Sequence, residues 1–225
     1  MMKDIDKIIR ERHSVRKYAD KEIEKEKVDI LRDLIKKYNK EANLHIQLKT
    51  NDKDTFEKYK LHYGKIYNCQ NYIALIGNKK DKNLAEKVGY YGQKLVLKAQ
   101  EMELNTCWVG AGYSKNELNV EILPNEKIVC VIAIGYGVHN GKVRPSKTFE
   151  EVSTSKDVPK WYKKGIEYAL LAPTAVNQQK FKFALLENNV VSLKAGIGPF
   201  SKVDLGIVKY HFELGADTKN FKWKE

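Results

Sequence analysis

Cysteine, proline and long apolar runs are scarce in this sequence. It has three cysteines and five prolines in 225 residues. Cys69, Cys107 and Cys130 are odd in number and widely spaced, which argues against a disulfide framework and against a cysteine-based zinc site. No apolar run approaches the roughly 18 residues that a membrane span needs, and the first residues carry acids instead of an apolar signal core. We therefore expect a cytoplasmic protein with no membrane partner.

Arginine is also rare, although the chain is basic. Five of the 41 basic residues are arginine, so lysine supplies 36 of the positive charges behind the net charge of +12. The lysines are spread through every segment and form no basic strip interleaved with aromatics, so we expect no nucleic-acid partner. Lysine cannot replace the planar, bidentate guanidinium at a phosphate or ring edge. The positions of the arginines are therefore informative, and they are Arg10, Arg12, Arg16, Arg32 and Arg144.

The composition is that of a globular protein, with 42% hydrophobic and 31% charged residues. The length suits a single domain over residues 1–225, although the polar stretch at 145–157 could mark a boundary. Helices and strands are mixed without strict alternation, which indicates an α+β fold. Periodicity predicts helices near 5–9, 23–38, 82–104, 159–171 and 202–214, with a short one beginning at the Ser114–Glu117 capping box. It predicts strands near 44–48, 71–77, 128–134, 181–185 and 190–193, the last two turning at Asn188-Asn189.

The first candidate site is the run Arg12-His13-Ser14-Val15-Arg16-Lys17-Tyr18. Arg12, Ser14 and Arg16 occupy alternate positions, so in an extended segment they would converge on one anion or polar ring. The alternative is a solvated basic turn after a helix.

Two more segments have the same character. Gly135-Tyr136-Gly137 follows the strongest predicted strand and leads to Lys142-Val143-Arg144, in a loop where function or plain surface charge is equally expected. Ala172-Pro173-Thr174-Ala175-Val176-Asn177-Gln178-Gln179 lies between a helix and a strand. Its polar side chains could bind a ligand edge or could satisfy their own backbone.

Together these segments resemble the motifs of the flavin-dependent nitroreductase family, whose members bind FMN. The family's Arg-x-Ser-x-Arg is matched at 12–16, its Thr-Cys-Trp-x-Gly at 106–110, and its Gly-Tyr followed by Lys-x-Arg at 135–144. Its Ala-Pro-Ser-x-x-Asn-x-Gln is matched at 172–179. The resemblance implies a nitroreductase-like fold with a central, mainly antiparallel sheet flanked by helices. It also implies a homodimer with FMN at the subunit interface.

The resemblance assigns cofactor-binding roles, and no side chain is required as a nucleophile because the flavin carries the chemistry. Arg16 would stabilise the anionic reduced ring. His13 would offer mainly its backbone. The residues implied in FMN binding are Arg12, His13, Ser14, Arg16, Trp108, Val109, Gly110, Lys142, Arg144, Pro173, Thr174, Ala175, Asn177 and Gln179.

Two departures from the family pattern stand out. The Ala-Pro-Thr segment lies near the C terminus instead of soon after the first motif, as in a rearranged subgroup. Either subunit of the implied dimer could then supply residues 173–179. Glu103-Leu104-Asn105 replaces a Gly-Leu-Gly, and we expect Asn105 to take the left-handed conformation of the second glycine.

The predicted function is an FMN-dependent oxidoreductase that takes hydride from NADH or NADPH and passes it to a small, electron-poor acceptor such as a nitroaromatic or a quinone. The alternative is an FMN-binding store or sensor with little turnover.

Overall fold

The computed structural model of the chain describes residues 4–52, 55–56, 65–111, 113 and 118–224. The helix predicted to begin at Ser114–Glu117 lies outside these residues. The helices are α1 (Ile5–Glu11), α2 (Lys25–Ala42), α3 (Leu84–Glu101), α4 (Phe149–Val152), α5 (Lys160–Leu170) and α6 (Ser201–Ala216). The strands are β1 (Gln47–Lys49), β2 (Tyr72–Asn78), β3 (Asn105–Val109), β4 (Glu126–Gly135), β5 (Phe181–Leu185), β6 (Val190–Ala195) and β7 (Lys222–Trp223).

The chain divides into two compact units. The first comprises Met1–Leu84 and Lys94–Val143, and the second comprises Ala85–Gln93 and Arg144–Glu225. The single domain inferred from length stays a prediction.

The first unit contains a four-stranded sheet in the order β1-β2-β4-β3, with every neighbouring pair antiparallel. β4 lies between β2 and β3 because it is apolar on both faces. Its residues 130–134 are all buried. This confirms the central strand predicted near 128–134.

Helix α2 buries Val28, Leu31, Ile35 and Tyr38 on one face, as its periodicity predicts. β1 begins later than predicted, although Leu44 still forms an isolated antiparallel bridge with Gly77, because the regular pairing is interrupted at Ile46. The amide of Ile46 donates to the Asn39 side chain at 2.7 Å.

The second unit contains a three-stranded sheet in the order β5-β6-β7. β5 and β6 form the predicted hairpin, and Asn188 and Asn189 both take left-handed conformations at its turn, with φ of 55° and 56°. The rings of Phe183 and Phe212 stack 4.8 Å apart in the core of this unit. The α+β class is confirmed, and both sheets are wholly or mainly antiparallel.

Helix α4 was missed within the polar stretch near 145–157. Its N-terminus carries a complete capping box, in which Thr148 and Glu151 bond each other's backbone amides. The sequence signal was present, because Thr-x-x-Glu is the spacing of that motif.

The expectation for Asn105 was wrong. Glu103 takes the left-handed conformation, with φ of 65°, while Asn105 is the first residue of β3. The turn falls at Glu103 because Leu104 is completely buried directly afterwards. The Asn105 side chain instead accepts a hydrogen bond from the amide of Gly137, at 2.9 Å.

Candidate cofactor site

The segment carrying the first motif is extended and lies along the edge of the first unit's sheet. Ser14 pairs with Thr106 in a parallel bridge, and the amide of Val15 donates to the Thr106 carbonyl at 3.0 Å. The structure therefore brings the Arg-x-Ser-x-Arg segment beside β3, which carries the Thr-Cys-Trp motif.

The loop that follows β4 lies against the same segment. The amide of Ala19 donates to the backbone carbonyl of Tyr136 at 2.7 Å, and the amide of Val138 donates to the backbone carbonyl of Lys17 at 2.9 Å. At Gly141, with φ of +79°, an added Cβ would lie 2.7 Å from the Cβ of His13. Only a glycine fits this close approach without strain. The first two motifs and residues 136–141 of the third thus meet in the first unit.

Burial distinguishes the side chains of the first segment. Val15 is fully buried, whereas Arg12, Ser14 and Arg16 are half-buried. Burial of the Arg12 guanidinium lowers its pKa to about 10, and the nearby Cys107 thiol slightly opposes this shift. Arg12 therefore remains cationic at neutral pH while partly removed from water, where its attraction for an anion is stronger.

The donors of this segment suit the groups that FMN presents. Two guanidinium groups and one hydroxyl lie within five residues, and guanidinium forks match phosphate and the polar edge of a ring. The chemistry of the donor set therefore fits FMN.

The Trp108 motif occupies the last strand of the same sheet. Trp108 pairs with Ile132 of β4 and is half-buried, and β3 ends at Val109, immediately before Gly110. Cys107 is 3% exposed, as is common for a free cysteine, which packs as a small apolar side chain.

The fourth motif forms a loop in the second unit, and its Gln179 is 3% exposed. The Gln179 amide nitrogen donates to the Leu170 carbonyl at 2.9 Å and to the Ser146 hydroxyl at 3.0 Å. Its oxygen accepts from the amide of Lys147 at 2.8 Å. Gln179 therefore holds the segment that follows Arg144, and its role toward a cofactor stays a prediction.

The neighbouring residues of this loop have comparable local partners. Asn177 donates to the Pro145 carbonyl at 2.8 Å. Thr174 accepts at its hydroxyl from the amide of Gln179, at 3.0 Å. These bonds place the loop beside residues 145–147 within the second unit.

The predicted residues thus form two groups. Residues 12–16, 108–110 and 142 belong to the first unit, and residues 144 and 173–179 belong to the second.

Two residues that support the site were missed by the sequence analysis. Asp204 of α6 is 5% exposed, and its carboxylate accepts a hydrogen bond from the amide of Ala175 in the Thr174–Gln179 loop. The sequence pattern that could have indicated it is an acidic residue at helical spacing from Ile207 and Val208, on the apolar face of α6. Glu24 accepts a hydrogen bond from the Tyr136 hydroxyl in the loop after β4.

The described residues include no group of three or more histidines, cysteines or acids placed to hold a metal ion. Among the same residues, every helix is too short or too polar to cross a membrane.

Comparison with known proteins gives one family. A family model described as "Putative TM nitroreductase" matches residues 4–216. No curated protein matches the chain.

Solved structures with this fold include a "putative nitroreductase" from Thermotoga maritima, which is 21% identical, with a TM-score of 0.65. The alignment covers 96% of this chain and 84% of that one. A "putative nitroreductase" from Desulfovibrio desulfuricans, solved in complex with FMN, is 18% identical with a TM-score of 0.55, over 71% of this chain and all of that one. A "putative NADH dehydrogenase/NAD(P)H nitroreductase" from Bacteroides thetaiotaomicron is 20% identical, with a TM-score of 0.53. The alignment covers 66% of this chain and 95% of that one. The match of the family model over nearly the whole chain shows that this protein belongs to the nitroreductase family.

Proposed function

We propose that the protein is an FMN-dependent oxidoreductase that passes hydride from NADH or NADPH to an electron-poor acceptor, such as a nitroaromatic or a quinone. The observation that carries the proposal is the meeting of the Arg12–Arg16 segment with β3 and the Gly137–Gly141 loop. The FMN complex of the Desulfovibrio desulfuricans neighbour supports the choice of cofactor.

The residues of the chain would act by binding and orienting. When bound, FMN would supply the redox chemistry, accepting two electrons from the nicotinamide and returning them to the acceptor. Arg12 and Ser14 would hold the phosphate and ribityl chain, and the family resemblance assigns Lys142 and Arg144 to the phosphate as well. Arg16 would place positive charge at the pyrimidine edge and so favour an electron-rich ring. The backbone at Trp108–Gly110 would border the ring.

Two further properties belong to the proposal. A homodimer follows from the family resemblance, and light scattering of the purified chain tests it. A cytoplasmic location is supported by Cys69, Cys107 and Cys130, which are buried thiols rather than disulfides.

The direct test is FMN binding by the purified protein, followed by fluorescence titration of two variants. We expect a yellow protein, and an Arg16→Ala variant whose affinity for FMN is lower by roughly tenfold or more, the loss expected for one charge-assisted hydrogen bond. Arg32→Ala, at an exposed site on α2, is the matched control and should bind as the wild type does.

The outcomes separate the alternatives. A colourless protein that fails to bind added FMN would overturn the proposal. If FMN binds but neither NADH nor NADPH bleaches it, the protein is a flavin store or sensor. If Arg16→Ala binds FMN as tightly as Arg32→Ala does, the assignment of Arg16 is wrong.

A further inference from the structure

Asp204 is a buried carboxylate that bonds the loop of the fourth motif. It lies in the first turn of α6 and is 5% exposed. The amide of Ala175 donates to its two oxygens at 3.0 and 3.2 Å, and the side-chain amide of Gln178 donates at 2.7 Å. The carboxyl group of Asp204 therefore attaches the loop to α6 through two residues, Ala175 and Gln178.

The loop that it holds has an unfavourable backbone. Val176, Asn177 and Gln179 all have positive φ, at 46°, 55° and 43°. A β-branched residue is rarely found in this region, and strained conformations persist only where the surroundings impose them. Val176 is 67% exposed, so packing of its own side chain does not supply the restraint. The restraint that the structure shows is a set of hydrogen bonds to the other residues of the loop, Ala175, Asn177 and Gln179 among them.

Gln178 links the carboxylate to a second backbone segment. Its side-chain amide also donates to the Pro199 carbonyl at 2.9 Å. An added Cβ at Gly198 would overlap the Gln178 side-chain oxygen, so the turn before α6 approaches this amide closely. Asp204, Gln178 and the turn therefore restrain one another.

We propose that Asp204 is a positioning residue for the cofactor. Through Ala175 and Gln178 it holds the Thr174–Gln179 loop in the strained conformation that sets the positions of Thr174 and Asn177. This inference rests on the proposed function and on the family resemblance, which implies that Thr174 and Asn177 take part in FMN binding.

The protonation of Asp204 should make the stability of the closed loop depend on pH. Burial raises its pKa from 3.8 to about 6, and the bonds from Gln178 and Ala175 partly oppose that shift. Opening the loop would return the carboxylate to water and to its ordinary pKa. The closed loop then binds a proton more tightly than the open loop, so closure is favoured as the pH falls from 7 to 5.

Helix α5 packs against α6, and its Lys164 pairs with Glu167 at 3.3 Å. Lys180 follows the loop and donates to the Ile197 carbonyl at 3.0 Å. On α3, which packs against α6, Glu86 pairs with Lys209 at 3.1 Å. Lys202 lies exposed in the same first turn. None of these contributes to the pKa shift of Asp204, whose causes are burial and the two hydrogen-bond donors.

The test is hydrogen exchange at the Ala175 amide of the full-length chain, with protection expressed relative to the unstructured rate at each pH. Asp204→Ala removes the acceptor, so protection at pH 7 should fall roughly tenfold. In the wild type, protection should rise about tenfold between pH 7 and pH 5. Asp204→Asn keeps an acceptor but cannot ionise, so its protection should not change with pH. Asp33→Asn, at an exposed site on α2, is the matched control.

FMN titration of the same proteins completes the test. We expect Asp204→Ala to bind FMN roughly tenfold more weakly than Asp33→Asn. We also expect the pH dependence of affinity between pH 5 and pH 7 to be smaller in Asp204→Asn. If Asp204→Ala does not fold, Gln178→Ala removes one of the two donors and should lower protection and affinity by a smaller factor.

The outcomes distinguish the two proposals. Unchanged protection of Ala175 in Asp204→Ala overturns the positioning role. Reduced protection with unchanged FMN affinity shows that the loop does not serve the cofactor, which also overturns the inference. If the wild type binds no FMN, the proposed function fails and the cofactor part of the inference fails with it, while the exchange data still decide whether Asp204 holds the loop.

Discussion

The backbone amide of Val15 donates a hydrogen bond to the carbonyl oxygen of Thr106, at 3.0 Å. This bond makes the Arg-x-Ser-x-Arg segment an extension of the sheet edge. Two motifs more than ninety residues apart in sequence are thereby held in a fixed register. Groups placed on paired backbone are held more precisely than groups on a free loop.

The close approach of Gly141 to His13 should be measurable as a coupling. Gly141→Ala should destabilise the protein by about 1–2 kcal/mol, since φ is +79° and the new Cβ would meet that of His13. His13→Gly removes the clash and leaves the backbone strain. The double variant should therefore recover part of the loss, by about 1 kcal/mol in a double-mutant cycle from denaturant unfolding. Strict additivity of the two changes would contradict the contact.

Two helix glycines in the second unit permit close packing. An added Cβ at Gly206 would overlap the carbonyl oxygen of Glu86, and one at Gly89 would overlap that of Val203. Alanine is the better helix former by about 1 kcal/mol, so propensity alone predicts stabilisation. We expect the clash to dominate, with each alanine variant losing about 2 kcal/mol or more. Lys202→Ala, exposed on α6, is the control and should change the free energy of unfolding by less than about 0.5 kcal/mol.

The titration of Asp204 should also appear in global stability. Its pKa is raised to about 6 in the folded protein, so the folded state binds the proton more tightly than the unfolded chain does. The resulting stabilisation is complete below about pH 3.8 and is lost as the pH rises through 6. Relative to Asp204→Asn, the wild type should gain about 2 kcal/mol between pH 7 and pH 4. Parallel stability curves for the two proteins would show that this carboxylate does not titrate in that range.

The Tyr136 hydroxyl should control the ionisation of Glu24. The hydrogen bond from Tyr136 is the largest cause that lowers the pKa of Glu24 to about 2, and Lys21 contributes less. Tyr136→Phe should therefore raise this pKa more than Lys21→Met does, as measured by NMR titration of the carboxyl carbon. The stabilisation from the ionised form is present above about pH 4.5 and is lost as the pH falls toward 2. A larger effect of Lys21→Met would show that the ammonium group dominates instead.

Local features of the fold were predictable because their causes lie within a few residues. The strand β4 is apolar on both faces, which marks a central position. Asn188-Asn189 supplies two residues that tolerate a left-handed turn. The convergence expected of Arg12, Ser14 and Arg16 required an extended segment, and the bridge at Ser14 shows that the backbone is extended there.

Long-range features were not predictable in the same way. Asp204 and Ala175 are 29 residues apart, and no local pattern indicates that one accepts from the other. The left-handed turn falls at Glu103 because Leu104 must be buried, although Asn105 has the better intrinsic propensity. Burial of Leu104 therefore outweighed the intrinsic preference of asparagine for the left-handed conformation.

Helix α3 changes units twice along its length. Its residues 85–93 belong to the second unit and the residues on either side belong to the first. Within the second unit, Gln93 contacts the buried ring of His211 at 2.8 Å. The second unit is therefore built from two stretches of chain that are separate in sequence. A single crossover between codons 93 and 211 would combine Gln93 from one parent gene with His211 from the other. Because the two side chains form one buried contact, we expect residues 93 and 211 to vary together among related sequences.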